Sequence, residues 1–444
     1  MPARSLAAVL FTIALLVGCV GAPGSTDAPP SASSPTTSGG LSFTVKLIDD
    51  VRAGGEPVIQ VTQKGTLLVG AHPGWTHTRY PPSADLVTPA SGQSYMWRST
   101  DNGTTWKPLG LPMTDGVGPR GLGQGVSDPD FAMDSKGRVY FTDLEGLGSA
   151  SVSWSDDDGA TWLQGNDVAA SFGGAPIDRN WIATHGTDVY FMGNYFTGGE
   201  NVLKSSDGGI TWTKVGTSPC EQEFITNDDG ALLIGCPTGI AVSTDGGAHF
   251  EKRDVPGASS KLRAMSAPAL DSAGNVYVTW ANESGIWLAG SPDLGKTWWQ
   301  TIHVSQPLFA SGQGTHIWPW VVAGDAGRVA IDWYGTNSSG GPDKATGDWF
   351  VYQTTVLGAD GSAPALYAAQ VTPTPIFKGG ICQGGTGCQA DPTPAGDRRL
   401  GDFFEATADA NGMVLVAFSV VGSDSISHPG FARQTAGPGL VKES

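Results

Sequence analysis

Ser99–Trp106 reads STDNGTTW. The same eight-residue pattern, Ser-x-Asp-x-Gly-x-Thr-Trp, returns at Ser155–Trp162 (SDDDGATW), Ser205–Trp212 (SSDGGITW) and Ser291–Trp298 (SPDLGKTW), with a worn copy at Ser243–Phe250 (STDGGAHF). Such a pattern suits a tight hairpin. The glycine supplies a positive φ in the turn. The Asp and Ser side chains satisfy turn N–H groups that have no ladder partner. The closing Trp packs beneath the turn, which accounts for much of the tryptophan content of 15.

This pattern resembles the Asp box, or BNR repeat, of sialidases and many other β-propellers. The resemblance implies a structural role on the side away from the active face. Asp101, Asp157, Asp207, Asp245 and Asp293 are therefore not catalytic candidates, and the DDDG stretch at 156–159 is read as a turn.

A looser repeat of apolar strand, Asp/Asn/Gly turn and apolar strand surrounds the boxes. It occurs at Pro57–Ala71, Pro129–Thr142, Asn180–Met192, Glu223–Gly235, Pro268–Trp280, Trp320–Tyr334 and Phe404–Phe418. Boxes follow the first five copies, and a decayed box lies around Leu357–Gly361. The expectation is an all-β β-propeller of seven four-stranded blades, each begun by one of these hairpins. Six blades, the number in catalytic sialidases, stays as the alternative count. The last blade has only one further strand, near Gly430–Thr435. Ser42–Asp49 (SFTVKLID) is expected to supply its outer strand and so close the ring.

Composition agrees. The chain has 444 residues with 64 Gly and 30 Pro, and only 15% are charged. Long helical runs are missing after the leader, whereas many short strands with Gly-rich turns fit. The formal net charge of −17 argues against nucleic-acid binding, because an acidic surface repels phosphate.

Residues 1–19 read as an export signal, with Arg4 before an apolar stretch, Leu6 to Val17, too short to span a bilayer. The ending Leu16-Val17-Gly18-Cys19 resembles the lipobox of bacterial lipoproteins, which implies lipidation of Cys19 and a membrane anchor outside the cytoplasm; ordinary secretion is the rival. Residues 20–40 are Pro, Ser, Thr, Ala and Gly, a composition for a disordered tether. Residues 41–444 then form one propeller domain. Cys220 and Cys236 stand at the two ends of a predicted hairpin, and Cys382 and Cys388 bracket a short loop. Two local disulfides are expected, with buried free thiols as the alternative.

In propellers the ligand face collects the segments before each innermost strand and after each second strand. Before the innermost strands stand Asp128, Asp178-Arg179, Glu221, Arg263, His316 with Trp318, and Arg398-Arg399 with Asp402. After the second strands stand His72 with Trp75, Asp143 with Glu145, Asn194-Tyr195, Asn282-Glu283, and Asp332 with Tyr334. Arginines, carboxylates and aromatics around one mouth suit a sugar or an acidic sugar. Asp178–Trp181, His316–Trp320 and Arg398–Glu405 resemble segments of bacterial sialidase-family or BNR-repeat proteins, and the likeness spans most of residues 57–435.

A sialidase needs three arginines for the substrate carboxylate, a Tyr nucleophile with a partner Glu, and an acid/base Asp. The resemblance assigns Arg179 and Arg399 to carboxylate contacts, Tyr334 to the nucleophile and Asp128 to the acid. Trp75, Tyr195, His316, Trp318, Arg398 and Asp402 are the candidate ligand contacts. The family's Phe/Tyr-Arg-Ile-Pro tetrapeptide is absent; the matching stretch is Asp49–Pro57 (DDVRAGGEP), and no Glu pairs obviously with Tyr334. Three roles fit: a surface-tethered propeller binding glycan or protein, a sialidase-type glycoside hydrolase with a divergent site, and an extracytoplasmic assembly scaffold. No metal or cofactor motif is found, and a monomer is expected.

Overall fold

The computed structural model describes residues 40–72, 94–109, 126–145, 149–168, 177–195, 199–260, 262, 267–361, 364–384, 388 and 397–442. Trp75, Arg263 and Cys19, with the leader and the tether, lie outside these.

The described strands form seven antiparallel sheets, each built from strands consecutive in sequence except at the closure. After β1 (Ser42–Leu47), blade 1 is β2 (Gly55–Val61), β3 (Leu67–His72), β4 (Tyr95–Ser99) and β5 (Lys107–Pro108). Blade 2 is β6 (Val126–Met133), β7 (Val139–Glu145), β8 (Ser149–Ser155) and β9 (Leu163–Asp167). Blade 3 is β10 (Ile177–His185), β11 (Asp188–Tyr195), β12 (Gly199–Ser205) and β13 (Thr213–Ser218). Blade 4 is β14 (Phe224–Thr226), β15 (Leu232–Cys236), β16 (Gly239–Ser243) and β17 (Glu251–Asp254). Blade 5 is β18 (Ala269–Leu270), β19 (Val276–Asn282), β20 (Gly285–Ser291) and β21 (Ile302–His303). Blade 6 is β22 (Thr315–Ala323), β23 (Arg328–Thr336), β24 (Asp348–Leu357) and β25 (Ala365–Gln370), with the short β26 (Phe377–Lys378) also paired to β24. Blade 7 is β27 (Glu405–Ala408), β28 (Val414–Val421) and β29 (Ser427–Ala436), and β1 completes it.

The fold is therefore a seven-bladed β-propeller, and the six-blade alternative falls away. β1 runs antiparallel to β29, with Phe43 opposite Gln434, Val45 opposite Ala432 and Leu47 opposite Gly430. The strand β26 is an addition that the repeat pattern did not announce. Both disulfides form, Cys220–Cys236 and Cys382–Cys388.

Each Asp box joins the third and fourth strands of its blade. In the first, Gly103 N–H donates to Ser99 Oγ at 2.9 Å, Ser99 Oγ–H donates to Asp101 Oδ1 at 2.8 Å, and Thr105 donates through N–H at 2.8 Å and Oγ–H at 2.6 Å to the same carboxylate. These donors hold Asp101 down at about 2, the Thr105 hydroxyl contributing most. The worn copy keeps the scheme by placing His249 Nδ1 2.7 Å from Asp245 Oδ2. The carboxylates of the boxes are thus engaged by their own turns.

The box glycine also sets blade packing. Gly159 has φ 75°, and a Cβ there would sit 2.5 Å from Leu68 of blade 1. Trp106 meets Phe431 of blade 7 edge-on at 5.2 Å. Each box thereby presses onto the preceding blade, and apolar clusters fill the gaps between blades. Ser99→Ala is expected to cost about 1–2 kcal/mol, because it leaves the buried Gly103 N–H without its acceptor. Denaturant midpoints at unchanged m-value measure this.

Candidate functional site: a charged cluster at the ring axis

Four innermost strands begin with the same irregularity. The ladder register slips between Gly55 and Val58, Ser127 and Asp130, Asp178 and Trp181, and Ile317 and Trp320. At each slip a non-glycine residue takes a left-handed conformation: Glu56 (φ 48°), Asp128 (φ 50°), Arg179 (φ 57°) and Trp318 (φ 49°). A side chain there resists this φ, and bulges of this kind re-aim side chains next to functional sites. Three of the four aim a charged group at one cluster.

The cluster centres on Asp402. Its carboxylate accepts from Arg179 Nη2 at 2.8 Å and from Arg398 Nη1 and Nη2 at 2.6 and 3.0 Å. Its own N–H donates to Glu56 Oε1 at 2.8 Å. That close approach requires a glycine before it: Gly401 has φ 77°, and a Cβ would lie 2.3 Å from Glu56 Cγ. His72 Nε2 lies 3.4 Å from Glu56 Oε2. Asp128 Oδ2 accepts the Arg179 N–H at 2.9 Å. The Asp128 carboxyl also shares side-chain hydrogen bonds with Glu56 and with Asp178.

Burial governs the charges. Desolvation first, then Asp128 and Asp402, push Glu56 well above the usual carboxyl range. Desolvation lowers His72 to about 3, so the imidazole is neutral. For Arg179 burial opposes the charge, but Asp402, Asp128 and Asp178 outweigh it and raise the pKa. Asp178, the partly exposed member, is raised to about 7 by burial and then by Asp128. Glu200 on β12 is raised to about 8 by burial and then by Glu221.

Asp178 and Glu200 bind protons more tightly in the folded protein than in the unfolded chain. Their contribution to stability is complete below the ordinary carboxyl range near pH 4 and is lost as pH rises through about 7 and 8. Melting temperature is expected to fall between pH 5 and pH 9, and Asp178→Asn should flatten that decline. An equal slope in the variant would remove Asp178 from this account.

Asp128, Arg179, Arg398 and Asp402 thus come together. The other candidates go elsewhere. Arg399 donates through Nε to Asp397 at 2.8 Å and through Nη1 to Ser425 O at 3.1 Å, and lies over the Phe377 ring. Tyr334 is fully buried between blades 6 and 7, stacked on Phe404 at 4.2 Å, and its hydroxyl accepts the Ser419 N–H at 3.0 Å; burial pushes its pKa up. Trp318 packs edge-on against Tyr334. His316 sits between Phe309 and Trp333 with Nε2 2.9 Å from Gln313 O, and burial lowers it to about 4. Tyr195 ends β11 opposite Ile177.

Sequence reading passed over Glu56, although it has the phase of Asp128 and Arg179. It also passed over three carboxyls one layer deeper. Asp130, Glu223 and Glu405 come from blades 2, 4 and 7, yet offer oxygens all within 4.8 Å of one another. Residues from three non-adjacent blades can meet only at the axis. An acidic residue recurring in or at the start of the innermost strands was the available signal.

Fold and site together define an Asp-box propeller with a buried arginine–carboxylate cluster on its axis. No family model matches the chain. A xyloglucanase from a Paenibacillus species is 26% identical over 271 residues, 51% of this chain and 26% of that protein. A sialidase from Bacteroides fragilis is 28% identical over 241 residues, 45% of this chain and 43% of that one. The chain thus spans less than half the length of either curated relative. Among solved structures, U3-55K superposes with a TM-score of 0.51 at 8% identity, over 88% of this chain and 98% of that one, a likeness of fold. The protein is a seven-bladed β-propeller with Asp-box (BNR) turns, similar in sequence over about half of its length to these two proteins.

Proposed function

We propose that the protein is an extracytoplasmic glycan-binding propeller, tethered through Cys19, whose ligand sits where the innermost strands begin. The observation that carries this reading is the axial cluster, in which left-handed bulges aim Glu56, Asp128 and Arg179 at Arg398 and Asp402. Rigid, mutually bonded polar groups with the half-open Asp178 suit recognition of sugar hydroxyls. The two matched relatives are named for action on carbohydrate. Binding is favoured over sialidase chemistry because Asp402 engages both arginines and the Ser419 amide holds the Tyr334 hydroxyl. The two disulfides suit an oxidising compartment outside the cytoplasm.

A second reading, glycoside hydrolysis, has one specific support. Asp178 titrates at about 7 beside Asp128, as a general acid would. The test is a glycan array with purified residues 41–444, beside turnover assays on fluorogenic sialosides and aryl glycosides. Binding without turnover, weakened in Asp178→Asn, is the expected result. Turnover abolished in the same variant would replace the binding reading with the hydrolase. Neither binding nor turnover would remove both. Cys19→Ser should release the protein from the membrane fraction; unchanged membrane association would overturn the tether.

A further inference from the structure

Beneath the charged cluster, Asp130, Glu223 and Glu405 converge on the axis. They stand on three innermost strands or at their starts, and one carboxyl oxygen from each lies within 4.8 Å of the other two. Among the described residues, backbone amides are their hydrogen-bond donors. Asp130 Oδ2 accepts the Ile182 N–H of blade 3 at 2.7 Å, and its Oδ1 accepts the Phe131 N–H at 2.6 Å. Glu405 Oε2 accepts the Ile59 N–H of blade 1 at 3.0 Å. Two further oxygens, Glu405 Oε1 and Glu223 Oε2, are buried with no hydrogen-bond partner, and Glu405 is only 5% exposed.

Such an arrangement is costly as it stands. A buried carboxyl oxygen without a donor loses its hydration and gains nothing in return. Burial pushes all three carboxyls well above their usual range, Asp130 raises both glutamates further, and Glu405 also raises Glu223. The Arg179 and Arg398 guanidiniums are engaged one layer above by Asp402. A cation between the three carboxyls would occupy the unpartnered oxygens and balance the charge at once.

We propose that Asp130, Glu223 and Glu405 form a binding site for a hard divalent cation of the Ca²⁺ class on the propeller axis. All three ligands are carboxylate oxygens, which suit Ca²⁺ or Mg²⁺ over zinc or copper. Ca²⁺ holds oxygens at about 2.3–2.6 Å, so ligand atoms up to about 5 Å apart can share one ion. Mg²⁺ demands near-octahedral geometry and usually keeps several waters, which a site buried among three carboxyls serves less well than it serves Ca²⁺. The ion would tie blades 2, 4 and 7 together where no strand pairing joins them. No spacing motif announces the site, because its ligands lie on three separate blades.

The experiment uses the full chain, stripped with a chelator and then titrated with CaCl₂, MgCl₂ or Tb³⁺. Ca²⁺ should raise the melting temperature by several degrees, more than Mg²⁺ does at equal concentration. Tb³⁺ should bind one per chain and give tryptophan-sensitised emission that Ca²⁺ displaces; Trp181 adjoins Ile182, whose amide feeds Asp130. Glu405→Gln is near-isosteric and removes a charge, so it should fold without the ion and lose Ca²⁺ affinity by at least about tenfold. Glu223→Gln is the second variant should the first fail to fold. Asp229→Asn, in an exposed turn, should titrate like the parent. No Ca²⁺ stabilisation of the parent, or equal Ca²⁺ response in the folded Gln variant, would overturn the site.

Discussion

Replacing Asp402 with alanine is expected to lower stability by about 3–5 kcal/mol, because it strands two buried guanidiniums at once. Arg179 and Arg398 are 4% and 8% exposed. Both rest on this one carboxylate at 2.6–3.0 Å. Without it each guanidinium loses its strongest counter-charge, and the two repel each other. Asp402→Asn keeps the size and one acceptor but not the charge, so it should fall between parent and alanine variant. The exposed pair Arg138–Asp156 is the contrast: Asp156 is 56% exposed, and its removal should change stability by no more than about 0.5 kcal/mol. Denaturant midpoints on the three variants measure the ladder. A loss below about 1 kcal/mol in Asp402→Ala would mean that water solvates the arginines readily, and that the cluster is not a closed one.

Trp181→Ala should cost about as much, roughly 3–5 kcal/mol, by a different route. The indole is fully buried, meets Phe403 edge-on at 5.0 Å, and donates from Nε1 to Glu221 O at 3.0 Å. It therefore joins blade 3 to blade 7 across the axis and to the loop leading into blade 4. Alanine leaves a cavity among residues whose backbones are fixed by their own sheets and cannot collapse into it. Trp181→Phe keeps most of the packing and loses only the hydrogen bond, so its cost should be about 1–2 kcal/mol. Similar losses in the two variants would show that the hydrogen bond, not the volume, matters.

The blades were legible because their signals are local. Each Asp box is a self-contained turn whose Ser, Asp, Gly and Thr bond to one another, so eight consecutive residues carry the whole argument. Hairpin periodicity then fixed the partners of β14 and β15, and with them the Cys220–Cys236 bridge. The cluster was legible in part. Asp128, Arg179, Arg398 and Asp402 share a phase relative to their strands, which the repeat reveals. What the phase does not reveal is direction. Arg398 and Arg399 are neighbours, yet the first reaches Asp402 and the second turns to Asp397 and Phe377. Tyr334 sits on the predicted strand end, but strand parity sends its ring into the interface with blade 7. Glu56 depended on a left-handed bulge, and the deep carboxyls depended on the convergence of non-adjacent blades. Neither follows from a local pattern.

The pairing of β1 with β29 imposes an order on how this molecule is made. Ribosomes deliver β1 first and β29 last, so the opening strand waits with its hydrogen-bonding groups unsatisfied while nearly the whole chain is synthesised. Blades 1 to 6 contain their own four strands and can form in turn. The final sheet alone requires both extremities of the domain. Completion of the ring is therefore a late event that vectorial synthesis cannot accomplish piecemeal. A C-terminal truncation that removes Ser427–Ala436 therefore strips β1 of its sheet partner and turns β28 into an open edge.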